Sequence, residues 1–337
     1  MFHRKIVFVV GAGASAEANL PIGAGLAAAI SELLNIPRDW ALIGDKHYTF
    51  ATALQAHCEQ ANDLTEHLEL SRQIARGLQA VASIDKYVDM HRHDSRIAQI
   101  AKSAIVHTIL QAERNSTFWD APASQTMSDP LPRLKDSWYF PFGEMIVDGI
   151  SLEALGSLFE NVTIICFNYD RTIEEFLVHW LATAYAIDLS KSRQIVSRLA
   201  IVRPYGQVGP LDIVGFGDTS RLSDAFVLSG NIKTFTEQIG DESIVSRIKV
   251  ATSEAETIAF LGFGFHRQNL AILKPDRPAK LRRILATARG IPPPNAGLIA
   301  DELKHLFGLQ ELSVTVDFNS GCSSLFSRFG RALNPLT

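Results

Sequence analysis

Gly11-Ala12-Gly13-Ala14-Ser15 follows the apolar run Ile6–Val10 without a break, and that combination of residue types is suited to holding a phosphate. Glycines at positions 11 and 13 allow a sharp turn and a close backbone approach to a pyrophosphate. Amides at the start of the following helix, expected near Gly23, would favour the anion. A second cluster, Cys166-Phe-Asn168-Tyr-Asp170-Arg-Thr172-Ile-Glu-Glu175, joins another apolar run to a helical pattern. Ligands of open α/β sheets sit at the carboxyl ends of strands, so Asn168 and Asp170 are expected to face the same crevice as the glycine loop. Asp170 or Thr172 can instead satisfy first-turn amides, and Thr172 with Glu175 matches a capping box. Asn168 comes too early to cap that helix if Asp170 begins it.

These clusters need strands to carry them and helices to cover them. A dehydrogenase fingerprint would place a second strand soon after the first helix, with an acidic residue about 20 positions beyond the glycines. Here Ala24–Leu34 reads as a helix, Asn35-Ile-Pro37 follows, and no β-branched run appears before Val162, which argues against hydride-transfer chemistry. Leu64, Leu68, Ile74, Leu78 and Val81 keep a helical spacing, and Ile97, Ile100, Ala104, Ile105 and Ile109 repeat it. Between them, Ser83 to His91 is a polar and aromatic segment that either closes over a site or joins helices. The Pro, Ser, Thr and Asp content of 115–142 predicts a surface loop. From Leu152 onward, strands are expected at Val162–Phe167, Leu199–Val202, Leu211–Val214, Thr257–Leu261 and Leu312–Phe318. Ile173 to Ala184 and Arg282–Arg289 read as helices, the latter stopped by Gly290 and three prolines. The pattern predicts an α/β, Rossmann-like parallel sheet formed by residues 1–35 and 160–337, with residues 36–159 as a helical insertion lobe.

At 337 residues and 47% hydrophobic content the chain can bury a full core. A net charge of −4 with dispersed Lys and Arg gives no electrostatic pull toward nucleic acid, so direct nucleic-acid binding is unsupported. Met1-Phe-His-Arg-Lys5 enters the first strand directly, leaving no room for a signal peptide. No window approaches the roughly 18 apolar residues of a membrane span, so a cytoplasmic protein without membrane contact is expected. Cys58, Cys166 and Cys322 are too scattered for disulfides or a zinc module, and His91 with His93 does not make a metal site; no metal is expected.

The glycine loop taken with Asn168-Tyr-Asp170 resembles the prokaryotic sirtuin-like proteins, relatives of the sirtuins found largely in bacterial anti-phage defence. Leu261-Gly-Phe-Gly-Phe265-His266-Arg-Gln-Asn269 looks like that family's late ligand-contacting loop, and Ser83-Ile-Asp85 is similar to a motif of its helical insertion. The resemblance spans nearly the whole chain. It implies a Rossmann-like sheet with a helical small lobe and NAD as the ligand. The amides of Ala12 to Ser15 would hold the pyrophosphate, Asn168 would sit beside the nicotinamide ribose, and Asp170 would fix ribose or neighbouring side chains. Gly262 and Gly264 would admit the adenosine ribose, with Asn319, Ser320 and Gly321 near the adenine.

The chain also departs from the pattern. It lacks the Gly-Ile-Pro-Asp-Phe-Arg continuation and the four-cysteine zinc module of sirtuin deacylases, which disfavours acyl-lysine removal and leaves cleavage of NAD itself. Where the family has a histidine before a glycine, this chain reads Ile201-Val-Arg203-Pro-Tyr205-Gly206. Tyr205 is then the better catalytic candidate and Arg203 the better phosphate binder, with His266 a further candidate base. Nicotinamide leaves as a neutral group from an oxocarbenium-like ribose, so a positioned water and a carboxylate can suffice. The resemblance implies an NAD hydrolase that depletes NAD on infection, acting as a homo-oligomer and with a HerA-type ATPase or another defence partner. The alternative is a sensor or structural subunit that binds NAD or an ADP-ribose-like nucleotide without cleaving it.

Overall fold

The computed structural model describes residues 2–58, 61–121, 128–234, 241–292, 294–309, 311, 313–319 and 321–334. Its strands are Ile6–Val10 (β1), Val162–Cys166 (β2), Ala200–Val202 (β3), Thr257–Leu261 (β4), Arg283–Thr287 (β5) and Ser313–Asp317 (β6), in one sheet of order β3-β2-β1-β4-β5-β6. Every neighbouring pair is parallel. Chain order reverses between β1 and β4, the position at which open α/β sheets leave a ligand crevice. Val10 is level with Cys166 on one side and with Leu261 on the other, so Gly11, Phe167 and Gly262 leave the sheet side by side.

Before β2 come α1 (Ala12–Ser15), α2 (Gly23–Leu34), α3 (Asp45–His57), α4 (Ala61–Gly77), α5 (Ile84–Met90), α6 (Ser95–Arg114), α7 (Leu131–Leu134) and α8 (Tyr139–Val147). After it come α9 (Thr172–Tyr185), α10 (Leu189–Val196), α11 (Ala225–Leu228), α12 (Glu242–Glu254), α13 (Arg267–Ile272), α14 (Pro294–Phe307) and α15 (Cys322–Leu333). Both faces of the sheet are covered, which is why its inner strands read as unbroken apolar runs. Val7, Val9, Ile258 and Phe260 pack with the α2–α6 side, where α2, α3, α4 and α6 also bury residues against one another. Phe8, Ile164 and Leu261 pack with α8, α9 and α15. Phe142 of α8 meets Phe8 edge-on at 5.2 Å, and Phe326 of α15 stacks on Phe8 at 6.2 Å. Residues 131–147 therefore belong to the second helical layer of the sheet, apart from the α3–α6 group.

Four local expectations need correction. The stretch 115–142, expected as a surface loop, carries α7 and the start of α8 in its described part and buries Phe118, Leu134, Trp138, Tyr139 and Phe142, because its apolar residues between the prolines cover the second face of the sheet. The first helix begins at Ala12, immediately after β1, and not near Gly23, where α2 starts. Arg283–Thr287 is a buried parallel strand; Ile284, Leu285 and Ala286 are apolar because both faces are covered, and that run has no period to separate strand from helix. Leu211–Val214 is a turn between Gly209 and Gly215, with Val214 buried and Ile213 at 62% exposure. Among the described residues, no helix is long and apolar enough to cross a membrane.

His107 on α6 carries a consequence for stability. Its ring is 6% exposed, lies edge-on to Phe50 at 5.8 Å, and its Nε2 has no hydrogen-bond partner. Burial lowers its pKa from 6.5 to about 4. Below pH 6.5 the unfolded chain takes up a proton that the folded chain refuses. Stability is therefore whole above that value and declines as the pH falls toward 4, by up to about 3 kcal/mol. Urea unfolding at about pH 7 and pH 4.5 should show a steeper loss for wild type than for His107→Gln. Parallel losses would remove His107 as the source.

Candidate functional site

Two loops meet at the centre of the sheet's carboxyl edge, backbone against backbone. Gly11 donates its amide to Leu261 O at 3.0 Å and Gly13 donates to Gly262 O at 2.9 Å. A Cβ on Gly11 would lie 2.7 Å from Gly262 O, one on Gly13 2.8 Å from Gly262 Cα, and one on Gly262, where φ is +56°, 2.0 Å from Ala14 N. All three glycines are thus required by loop-on-loop packing whether or not a phosphate approaches. The amide of Ala14 is also engaged, with Gly11 O at 3.0 Å. Gly262 is anchored from the far side by its own amide, which donates to Thr287 Oγ1 of β5 at 2.8 Å.

A buried polar chain then ties β2 to the glycine loop. Asn168 donates from Nδ2 to Gly11 O at 3.0 Å and to Ser15 Oγ at 2.9 Å, and Ser15 donates to Asp170 Oδ2 at 2.8 Å. Asp170 Oδ1 accepts from the amide and hydroxyl of Thr172 at 3.2 and 2.7 Å, and Tyr139 of α8 donates to Thr172 Oγ1 at 2.8 Å. All five residues are buried. Asp170 is therefore the side chain that serves the first turn of α9. Thr172 and Glu175 form no capping box, because Thr172 already lies inside the helix and Glu175 is buried 3.3 Å from His179. With both Nδ2 hydrogens committed, the remaining capacity of Asn168 is its acceptor Oδ1.

Arg203 lies behind this turn. Its Nη1 donates to the carbonyls of Asn168 and Asp170 at 2.8 and 2.9 Å, and its Nη2 pairs with both oxygens of Glu174. The guanidinium expected to take a phosphate is thus spent on holding the Asn168–Asp170 backbone. Arg171 points the other way and is fully buried against Glu113 at the end of α6 and the carbonyls of Gly209 and Gly215.

Tyr205 follows β3 and is 9% exposed; its hydroxyl donates to Asn269 Oδ1 of α13 at 2.6 Å, and its ring meets Phe167 edge-on. Burial first, and then the carboxylate of Asp85, push its pKa well above the ordinary phenol range. The phenol stays protonated at neutral pH, where it is a hydrogen-bonding group and not a base. Ser83 caps α5 by accepting from Lys86 N at 3.2 Å, which sets Asp85 in the first turn of a helix facing Tyr205. Phe265, packed among Phe260 and Phe263, holds φ at +53°, an unfavourable conformation for an aromatic residue. His266 is exposed at the start of α13, and a Cβ on Gly264 would sit 3.1 Å from its ring nitrogen. Asn319 lies at the end of the edge strand β6, exposed, its amide bonded to Asp317 Oδ1 at 3.1 Å. Gly321 lies beside Glu17, which also accepts from Ser323 N and Trp138 N. Ser320 falls outside the described residues.

The structure brings Gly11, Ser15, Asn168, Asp170 and Gly262 into one cluster, with Tyr205 and Asn269 beside the Gly262 loop. Arg203 supports it from behind, and Asn319 stands at the sheet edge. Reasoning from sequence missed Glu113, Tyr139 and Thr287, and gave Asn269 no role beyond its place in the Leu261–Asn269 loop. Glu113 alone had a signal, since it continues the buried Ile105–Ile109 face of α6 by one further i+4 step. Among the described residues, no three His, Cys, Asp or Glu side chains are grouped to hold a metal ion. No protein-family model, curated protein or solved structure matches the chain.

Proposed function

We propose that the chain is a sirtuin-like NAD hydrolase that binds the dinucleotide across the carboxyl edge of β1, β2 and β4 and releases nicotinamide and ADP-ribose. The observation that carries this reading is the buried Asn168–Ser15–Asp170 chain at the switch point of the sheet. An interior polar network placed where α/β sheets bind ligands is costly unless fully satisfied, and it fixes Asn168 in one orientation. In the reaction the bond between ribose C1′ and the nicotinamide nitrogen breaks, its electron pair leaves with nicotinamide, and water oxygen bonds to C1′ while its proton passes to His266 and from there to solvent. Asn168 Oδ1 accepts a hydrogen bond from that water or from a ribose hydroxyl. Asp170, held by three donors, places negative charge near the developing ribose cation. Tyr205, in the place where the family has its histidine, positions substrate by hydrogen bonding, and His266 at the loop end takes the released proton. The amides around Ala12 and Ser15, Gly262 and Gly264 border the phosphates and adenosine ribose, and Asn319 the adenine. The α3–α6 group takes the part of the family's helical lobe.

By the same resemblance the protein acts as a homo-oligomeric defence effector, restrained until a HerA-type ATPase or other partner triggers it. The test is nicotinamide release from NAD. Asn168→Ala should lower turnover at least about 100-fold, a loss on the scale of one oriented polar group in an active site, while circular dichroism stays unchanged. Equal turnover by the variant sinks the assignment. A second reading, NAD or ADP-ribose binding without cleavage, draws on the protonated Tyr205. It predicts saturable calorimetric binding with no nicotinamide released.

A further inference from the structure

A cavity of about 760 Å³ lies between α2, α3, α6 and Asn19, Leu20 and Pro21, the segment that follows the glycine loop. We propose that it is a binding site for an uncharged nucleobase or nucleoside. The inference stands apart from the NAD reading. Thr108 and Gln111 of α6 and Asn115, which caps its end, line one wall at i, i+3 and i+7, a polar stripe of donors and acceptors on one side. Leu20, Leu33 and Leu222 line it too, and all three are buried. A flat ring with hydrogen-bonding edges satisfies such a mixed lining, whereas a lipid tail would leave the stripe unpaired. The volume falls within the few hundred to about 1,000 Å³ typical of small-molecule sites.

Charge narrows the ligand further. No Lys or Arg lines the cavity, and its one carboxylate, Asp45, is exposed in the first turn of α3. His107, which borders the cavity, is neutral at physiological pH because burial lowers its pKa to about 4. A phosphate entering here would meet no counter-charge and one repelling group, so nucleotides are disfavoured relative to their nucleosides. Asn19, Leu20 and Pro21, a few residues after the glycine loop, line the cavity too, but none of Gly11, Ser15, Asn168, Asp170 and Gly262 does. Glu113 leaves the same helix toward Arg171, while Thr108, Gln111 and Asn115 face the cavity.

The experiment is isothermal titration calorimetry of the full chain with adenosine, adenine and AMP. Saturable one-to-one binding of adenosine, adenine or both is expected, with AMP at least tenfold weaker. Adenosine alone binding identifies a nucleoside site, and adenine binding as well identifies a base site. Ala29→Phe, which fills the cavity from α2, should weaken binding at least tenfold with an unchanged unfolding midpoint. Thr108→Val, nearly isosteric, provides the same reading if the first variant does not fold. Asn168→Ala should bind the probe as wild type does, which separates this site from the crevice. The proposal is overturned if neither adenosine nor adenine saturates at millimolar concentration, if AMP binds equally, if folded Ala29→Phe and Thr108→Val both bind normally, or if Asn168→Ala abolishes binding.

Discussion

Arg171→Leu is expected to remove about 3–5 kcal/mol of folding stability, the range for breaking one partner out of a buried ion pair. Arg171 and Glu113 both have fully buried side chains, with Nη2 to Oε2 at 2.5 Å and Nε to Oε1 at 3.1 Å. The guanidinium also donates to the carbonyls of Gly209, Val214 and Gly215. Leucine would leave those carbonyls without this donor and the carboxylate without its counter-charge. Glu113 would keep the amides of residue 171 and Gly217. Burial raises its pKa and the Arg171 charge opposes that rise, so the variant would favour a protonated glutamic acid. Glu113→Gln should be milder, because the amide oxygen still accepts and the guanidinium keeps its carbonyls. Glu113→Leu with Arg171→Leu should not restore wild-type stability, since three carbonyls still lose a partner. Arg171 sits between Asp170 and Thr172, so on the proposed hydrolase reading nicotinamide release should fall with it. Urea unfolding provides the measurement, and a loss below about 1 kcal/mol for Arg171→Leu would rule out a structural role on this scale.

That pair shows where the sequence was legible and where it was not. β1, β2 and β4 were readable because a strand buried on both faces is a short apolar run with abrupt ends, and Gly11, Asn168 and Gly262 stand at those ends. The Asn168–Asp170 turn was placed beside the glycine loop by the topology of parallel sheets alone. Arg203 was misread because an arginine after a strand looks the same whether its partner is a phosphate or, as here, Glu174 and two carbonyls. β5 was missed because Arg282 to Arg289 carries charges at both ends of an apolar run, which fits an amphipathic helix as well as a strand. Glu113 and Arg171 lie 58 positions apart, and nothing local announces their pairing. The glycine motif was legible as a motif, but the structure gives it a cause that sequence cannot: the partner of each glycine is another backbone.

That cause can be measured at Gly262. Gly262→Ala is expected to cost about 3 kcal/mol or more, from two sources that control variants separate. The first is the left-handed backbone, φ +56°, which penalises any L side chain by roughly 1–2 kcal/mol. Gly290→Ala measures that source alone, since its φ is +85° and nothing lies within 4 Å of a Cβ there. The second is the clash: the new Cβ would lie 2.0 Å from Ala14 N and 2.3 Å from Gly13 C, backbone atoms that move only if the glycine loop moves. Gly11→Ala measures the clash without the left-handed penalty, with a Cβ 2.7 Å from Gly262 O. Gly264→Ala should be mildest, because its Cβ meets only the exposed ring of His266 at 3.1 Å. The expected order of destabilisation is Gly262, then Gly11, then Gly290, then Gly264. If Gly262→Ala unfolds no more easily than Gly290→Ala, the two loops do not pack as described. Because Asn168 donates to Gly11 O and to Ser15 Oγ, a displaced glycine loop also takes the hydrogen-bonded orientation of Asn168 with it. If the chain cleaves NAD as proposed, Gly262→Ala should therefore lose nicotinamide release out of proportion to its remaining folded fraction, while Gly290→Ala should retain it.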